Sequence, residues 1–442
     1  MPTDTNQSHV AELIKRQQYH ALSLESPPGT RLLQSKTLPP DTPYLTLSHR
    51  WGSWPSIQLS STTSFLLWED ISRHLLHTPG AAVFRHAIQV TRSLGFRYLW
   101  IDALCIMQDN DIEKMQEIMR MDDIYLNCAL NIAATEGTVD GLVFDRNVHQ
   151  FNRDWETVRR PNKQSNLCLK AFCDWSYPLH IGELNRRGWV FQERYLAPRI
   201  VHFTKDQVYW ECRCLWANEI IPPGSLDAYR RREPKPIPFE NSSTLTYEQK
   251  DAARIQWYNL LELYSRTLVT FPNDRLLAIS GIAKRYCKHA GLNPSDYLAG
   301  MWKLDTPLSL LWHEPGSNLP RRPEAIPLNG EAADAPTWSW ASILTDAVFV
   351  MRLYASFQTR TEVLAVKMYR CSPNPFGGAK SCPLRLRGPM CKVHRQIIPG
   401  QQIFHIWNHE REPEILFTGR NDDMGTGAEG RCVEWDRCRK VV

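Results

Sequence analysis

The chain has 442 residues, of which 43% are hydrophobic and 22% are charged, a composition typical of a folded globular protein. This composition excludes a disordered, collagen-like or coiled-coil chain, and the length predicts two or three domains. The net charge is only +5, and the basic runs at 230–232 and 437–440 are too short and too poor in interleaved aromatic residues to predict a nucleic-acid partner.

The longest apolar runs fall far short of the about 20 residues that a membrane-spanning helix needs. The N-terminal residues have no apolar segment of the kind found in secretion signals. We therefore expect a soluble, cytoplasmic protein without a membrane span, in which the 12 cysteines are reduced thiols. The pair Cys212-Arg-Cys214 has no second pair at zinc-ligand spacing, so we expect no metal site.

The first half of the chain alternates strand and helix patterns. Period-2 or compact apolar runs predict strands, and apolar residues spaced three and four apart predict helices. The predicted elements are strand Tyr44–Ser48, helix Ala81–Leu94 closed by Gly95, strand Tyr98–Ile101, helix Ile112–Ile124 and strand Tyr125–Ala134. This order is typical of a parallel sheet with helices on its faces, the α/β class.

The pattern of predicted elements changes after about residue 138. We predict a helix at Trp189–Leu196, short strands at Ile200–Phe203 and Gln207–Glu211, helices at Ala252–Thr267 and Arg275–Tyr286, and strands at Val363–Met368 and Leu384–Leu386. A segment rich in Pro, Ser and charge at Pro222–Thr244 is typical of a linker. The predicted organisation is a lead-in at 1–43, an α/β domain at 44–221, a linker at 222–250, a helical region at 251–334 and a β-rich region at 335–442.

Three motifs stand where predicted strands end or helices begin: Leu47–Gly52, Leu99–Asp109 and Arg186–Arg199. Ligands bind beyond the carboxyl ends of the strands in open parallel sheets. We therefore expect the first two motifs to lie together at a ligand site, with Gly52 serving a turn.

The first motif contains Ser48 and His49. Neighbouring side chains on a strand point to opposite faces, so these two residues do not form a nucleophile–base dyad. Each can face a ligand alone, and a hydrogen-bonded structural role for His49 stays open.

In the second motif, Asp102 directly follows an apolar strand. A carboxylate there is either a functional group or a cap for the next turn. Cys105 is a nucleophile only beside a base, which His49 would have to supply, and otherwise a buried inert thiol. Gln108 is typical of a loop or a helix start.

In the third motif, Trp189 and Glu193 share one helix face. A flat indole beside a carboxylate suits a site that stabilises an oxocarbenium-like transition state, as in glycoside cleavage. The alternative is that Trp189 packs in the core and Glu193 pairs with Arg187 or Arg199.

Together and in this order, the motifs Tyr44–Gly52, Leu99–Asp109 and Arg187–Arg199 resemble the signatures of the fungal heterokaryon incompatibility (HET) domain. Fainter similarity to full-length family members follows at 264–266, 274–283 and 337–342. The chain departs from the family pattern at Asn110, where a second acid is usual, and at 112–113, where Ile-Glu replaces Asp-Trp.

The resemblance implies a fungal protein of non-self recognition and programmed cell death with a TIR/flavodoxin-like parallel sheet, since HET domains are similar to Toll/interleukin receptor (TIR) domains. In TIR enzymes the matching glutamate cleaves nicotinamide from NAD. The resemblance thus implies Glu193 as the catalytic carboxylate and NAD as a substrate, with no resident cofactor. Asp102 and His49 are the further candidate catalytic residues. The expected substrate-binding residues are Ser48, Arg50, Trp51, Cys105, Gln108, Arg187, Trp189 and Gln192.

Three functions remain open at this point. The first is an effector enzyme that acts on NAD or a related nucleotide. The second is a biosynthetic enzyme that binds a small molecule between the HET scaffold and the aromatic-rich C-terminal half. The third is a non-enzymatic signalling module that works by self-association or with other fungal incompatibility proteins.

Overall fold

The computed structural model describes residues 20–24, 29–51, 57–64, 71–78, 80–136, 141–142, 157–159, 166–168, 182–219, 222–223, 245–306, 308–313, 334–343, 348–349, 361–380, 382–387, 392–398, 401–408 and 411–419. Gly52 and residues 224–244 of the predicted linker lie outside these ranges.

An eight-stranded mixed sheet forms the centre of the N-terminal half, with strand order β10-β9-β8-β5-β3-β4-β1-β2. The strands β8, β5, β3 and β4 run parallel, and antiparallel pairs complete both edges. The bounds are β1 His20–Ser23, β2 Arg31–Gln34, β3 Leu45–Ser48, β4 Tyr98–Ile101, β5 Leu130–Ala133, β8 Arg199–Phe203, β9 Val208–Cys212 and β10 Trp216–Asn218; a separate hairpin holds β6 Thr157–Arg159 and β7 Asn166–Cys168. The predicted α/β class is confirmed.

The two faces of the central strand β3 differ in polarity. Its side chains alternate, so Leu45 and Leu47 enter the main hydrophobic core while Thr46 and Ser48 occupy the opposite face. Thr46 is in register with Asn131 of β5, which is also buried. A polar strip therefore crosses the middle of the sheet, and buried polar groups of this kind need hydrogen-bond partners.

Nine helices are defined among the described residues. Their bounds are α1 Ser72–His77, α2 Ala82–Ser93, α3 Asp102–Cys105, α4 Asp111–Ile118, α5 Met121–Asn127, α6 Gly188–Leu196, α7 Tyr247–Ser265, α8 Asp274–Leu277 and α9 Ser280–Ala290. α2 ends as predicted, with Gly95 at a positive φ of 79° just beyond it.

One expectation about this region was wrong. The predicted strand Tyr125–Ala134 is half helix: α5 continues to Asn127, and β5 begins only at Leu130. A short apolar run is compatible with either a strand or a helix. In the structure Tyr125 lies on α5, and its ring packs edge-on against Trp100 of β4. The lead-in before residue 44 supplies β1 and β2, whose short runs gave no clear period.

The C-terminal part is rich in β structure, as predicted. Its strands are β11 Tyr297–Leu298, β12 Met301–Trp302, β13 Trp312–His313, β14 Val348–Phe349, β15 Glu362–Val366, β16 Tyr369–Arg370, β17 Ala379–Lys380, β18 Leu384–Arg387, β19 Lys392–Ile398, β20 Gln401–Asn408 and β21 Arg411–Gly419. They form two-stranded pairs and one three-stranded sheet, β19-β20-β21.

The helices after residue 245 share one hydrophobic core with the N-terminal sheet. α9 approaches α5 and α6 closely because Gly281 lies there: a Cβ at this position would stand 2.7 Å from Gln192 Oε1 and 2.8 Å from Asp122 Cβ. Asp122 has no exposed side-chain surface, and its carboxylate accepts hydrogen bonds from Lys284 Nζ and Arg285 Nε, each at 2.8 Å. Charge pairing and close packing thus join α9 to α5 and α6.

We expect Arg285→Met to lower the free energy of unfolding by about 2 kcal/mol, because it leaves a buried carboxylate with one cation in place of two. Lys288→Met is the control, since Lys288 is an exposed cation of the same helix. Urea unfolding of both variants measures the difference. Equal stability of the two variants would show that the ion pairs of Asp122 contribute nothing net.

Candidate functional site

Glu193 lies on α6 directly above the polar strip of the sheet. α6 begins where Arg187 has extended backbone and Gly188 N–H donates to Leu268 O at 2.8 Å, which fixes the start of the helix against the later chain. The far side of the helix is anchored by Arg194, whose guanidinium pairs with Glu211 of β9 at 2.9 Å. Glu193, between these anchors, is only 6% exposed.

The carboxylate of Glu193 accepts a hydrogen bond from the hydroxyl of Ser48. Tyr125 of α5 supplies a second hydroxyl to the same carboxylate. Ser48 is the last residue of β3, so the carboxyl end of a central parallel strand meets the helix here. This is the edge of the sheet at which α/β proteins bind ligands.

Burial raises the pKa of Glu193 to about 7, and the negative charge of Asp102 acts in the same direction. The hydrogen bond from Ser48 and the charge of Arg187 oppose this rise. Removal from water therefore dominates, and the carboxyl exchanges a proton near neutral pH. Shifts of this kind, produced by burial together with a specific charge, are typical of functional carboxyl groups.

Buried side chains of β3 and β5 form a hydrogen-bond network with Ser48. Asn131 Nδ2 donates to Ser48 Oγ at 2.9 Å, and Thr46 Oγ1 donates to Asn131 Oδ1 at 2.9 Å. All three residues are buried. The polar strip therefore ends in the Glu193 carboxylate.

His49 turns to the other side of the sheet, as its position on the strand predicts. Its ring packs edge-on against Phe84 of α2, with 5.0 Å between centroids. Nδ1 lies 3.5 Å from Asp102 Oδ1 without a hydrogen bond, and burial lowers the pKa of the imidazole. The histidine is thus neutral at pH 7 and does not contact Ser48 as a base.

Asp102 caps its own turn and also reaches the surface. Its Oδ1 accepts from the Ala103 N–H at 2.7 Å, and its Oδ2 accepts from the indole of Trp51 at 3.0 Å. The side chain is 27% exposed and Trp51 is 38% exposed. The carboxylate of Asp102 therefore bonds within its own turn and remains partly exposed, and its role as a functional group stays a prediction.

Arg187 connects the two halves of the site. Its Nη1 donates to the carbonyl of His49 at 2.9 Å, and its charge lowers the pKa of both Glu193 and His49. Arg50 is exposed and pairs with Glu183. The guanidinium of Arg187 therefore fastens the start of α6 to the end of β3.

Four other predicted residues have contacts that point away from the Glu193 carboxylate. The indole of Trp189 donates to Asp274 of α8 at 3.0 Å, and Gln192 is buried beside Met121 and Gly281. Cys105 is fully buried, which raises the pKa of its thiol to about 12 and argues against a nucleophile. Gln108 donates to the carbonyls of Asp102 and Ile106, so it braces the turn that carries Asp102.

Sequence reasoning missed Asn131 and Tyr125. Asn131 was detectable, because an amide within the apolar run Leu130–Ala133 has to find a buried partner. The contact of Tyr125 with Glu193 was not detectable, because the sequence predicts a strand at this position. Only a helix directs the Tyr125 hydroxyl toward Glu193.

A second buried cluster lies beside α6 on the same sheet. Thr135 Oγ1 is 3.1 Å from His202 Nδ1, and His202 Nε2 is 3.0 Å from Glu211 Oε2. The charge of Arg194 holds the pKa of Glu211 well below its usual range. This cluster fixes the C-terminal half of α6, because it pairs the helix with β8 and β9.

Among the described residues, no group of three or more His, Cys, Asp and Glu side chains has the arrangement of a metal site. None of the described helices combines the length and the apolar character required to cross a membrane. The arrangement defines a mixed α/β protein with a buried carboxyl site at the carboxyl edge of its parallel strands.

Residues 44–193 match the family model described as heterokaryon incompatibility protein (HET). This part of the chain is therefore a HET domain, and the HET resemblance that the three motifs carry is confirmed. No curated protein and no solved structure matches the chain. The family match ends at Glu193 itself.

We expect Glu193→Gln to stabilise the protein above pH 7 and not at pH 4.5. The pKa of this carboxyl is about 7 in the folded chain and 4.5 as its ordinary value, so ionisation opposes folding as the pH rises through that window. The gain should approach about 3 kcal/mol at pH 8, measured by urea unfolding from pH 4.5 to 8. A difference from wild type that stays constant with pH would contradict the raised pKa.

Proposed function

We propose that the HET domain cleaves NAD or a related nucleotide at the bond between the ribose and its base. The observation that supports this most directly is the buried Glu193 carboxyl, which accepts the Ser48 hydroxyl and has a pKa of about 7. A carboxylate in a site of low dielectric stabilises a developing positive charge far better than one in water. The similarity to TIR enzymes, in which the matching glutamate has this role, points to the same chemistry.

In the proposed reaction the bond between ribose C1′ and the nicotinamide nitrogen breaks, and its electron pair leaves with neutral nicotinamide. The ribose becomes an oxocarbenium-like cation, which the ionised Glu193 stabilises. The oxygen of a water molecule then bonds to C1′, and one proton is released. No oxidant, reductant or metal is required.

The other predicted residues receive roles by their position. Asp102 and Trp51 form the exposed side of the site, so they are the groups that an entering ligand meets first. Arg187 is the cation beside Glu193 and suits a phosphate-bearing ligand. His49 is neutral and buried, which favours a supporting role through its contact with Phe84.

A non-enzymatic role has one observation in its favour. Ser48 is 1% exposed and Glu193 is 6% exposed, so a substrate must open the site before reaching the carboxylate. A signalling module that works by self-association or with other incompatibility proteins would use the same network as part of its core. The two functions differ in whether nicotinamide is released.

We expect purified protein to release nicotinamide from NAD and Glu193→Gln to slow this release by about 10²–10³-fold, because the carboxylate is the charge-stabilising group. Chromatography of the free nicotinamide measures the rate. Glu117→Gln is the matched control, since burial also raises the pKa of Glu117 to about 7 but its partner is Arg120 of the α4 region. Equal loss in both variants, or no release by wild type, would count against the enzyme and favour the module.

We also expect the rate of nicotinamide release to rise with pH through a midpoint of about 7 and to level off above it. The ionised form of Glu193 is the active one, and its pKa is about 7. Initial rates between pH 5 and 9 give the profile. A rate that falls over this range would assign the rate-limiting group to another residue.

A further inference from the structure

We propose that Asn131 and Thr46 form a positioning pair that aims the single hydroxyl proton of Ser48 at Glu193. The inference deepens the proposed function, because it concerns the carboxyl on which that function rests. Asn131 lies outside the three sequence motifs, and Thr46 does not contact Glu193 in the network described above.

Ser48 has a single hydroxyl proton to donate. A serine hydroxyl has one proton and two lone pairs. Ser48 Oγ has two acceptors in range, the Glu193 carboxylate and Asn131 Oδ1 at 3.2 Å. The proton can serve only one of them at a time, so the two acceptors compete.

Asn131 favours donation of the Ser48 proton to Glu193 in two ways. Its Nδ2 donates to Ser48 Oγ at 2.9 Å, which fills a lone pair of the hydroxyl and leaves the proton for another acceptor. Its Oδ1 already accepts from Thr46 Oγ1 at 2.9 Å, which is shorter than the 3.2 Å to Ser48. The hydroxyl of Thr46 thereby makes Asn131 Oδ1 a weaker competitor, and the proton of Ser48 goes to the carboxylate.

The register of the sheet places these three side chains next to one another. Thr46 and Asn131 are direct neighbours on the parallel strands β3 and β5, and Ser48 lies one step further along the same face. The three side chains are buried, which separates their hydrogen bonds from bulk solvent. A hydrogen bond to the charged form of a carboxyl lowers its pKa, so the pair favours ionised Glu193.

The test is a titration of Glu193 by infrared difference spectroscopy, wild type minus Glu193→Gln, which follows the carboxylic acid band without any need for activity. We expect Thr46→Val to raise the midpoint of the Glu193 titration by about half a pH unit. The substitution frees Asn131 Oδ1 to accept the proton of Ser48. Asn131→Asp should raise the midpoint by about one unit or more, because it removes the donor and adds a competing acceptor.

The decisive comparison uses the Ser48→Ala background. If Thr46 acts through Ser48, Thr46→Val has no further effect on the midpoint once the hydroxyl is gone. Thr91→Val is the control for a buried threonine, since the Thr91 hydroxyl bonds Ala87 O within α2. It should leave the midpoint unchanged, and thermal melts of all variants verify folding.

Two results would overturn the proposal: a Thr46→Val midpoint equal to that of wild type, or a shift that persists without Ser48. The nicotinamide assay is read separately. If the midpoint shifts as expected and no variant releases nicotinamide, the positioning pair stands and the proposed reaction fails. If wild type releases nicotinamide and the midpoint does not move, the reaction stands and the positioning pair fails.

Discussion

A carboxyl group removed from water governs the organisation of this molecule. Glu193 lies between a helix and the middle of a sheet, an environment that is normally apolar, and its presence there has to be offset by hydrogen bonds and nearby charge. The polar strip of Thr46, Ser48 and Asn131, the hydroxyl of Tyr125 and the charge of Arg187 meet this need. The apolar core on the opposite face of β3 provides the rigidity that keeps these groups in place.

Two glutamates at α6, Glu193 on the helix and Glu211 on the adjacent strand β9, have pKa shifts of opposite direction. Burial and the nearby carboxylate of Asp102 raise the pKa of Glu193, although the hydroxyl groups that bond it act against this rise. Glu211, which pairs with Arg194 on the next position of the helix, faces a guanidinium and an imidazole, and its pKa falls. One carboxyl is thus suited to exchanging a proton and the other to holding the helix, and their environments account for the difference.

The sequence predicted the parts of this site that depend on local pattern. The strand ends, the helix of Glu193 and the separation of Ser48 from His49 follow from periodicity and alternation alone. The buried amide of Asn131 was detectable, but its partners across the strand pair were not, and the role of Tyr125 depended on where α5 ends. Trp189 shows what a helix-face argument leaves out. The residue lies on the predicted helix, but its indole nitrogen donates to Asp274, which lies 85 residues later.

The family match stops at residue 193, inside α6, whereas the contacts that hold this helix continue to Leu268, Asp274 and Gly281. The segment that the family model matches is therefore smaller than the unit that packs around the site. Loss of the later helices would expose the start of α6 and a buried carboxylate together. Sequence change in the C-terminal half can thus adjust how much HET domain is intact at a given temperature without altering any residue of its motifs.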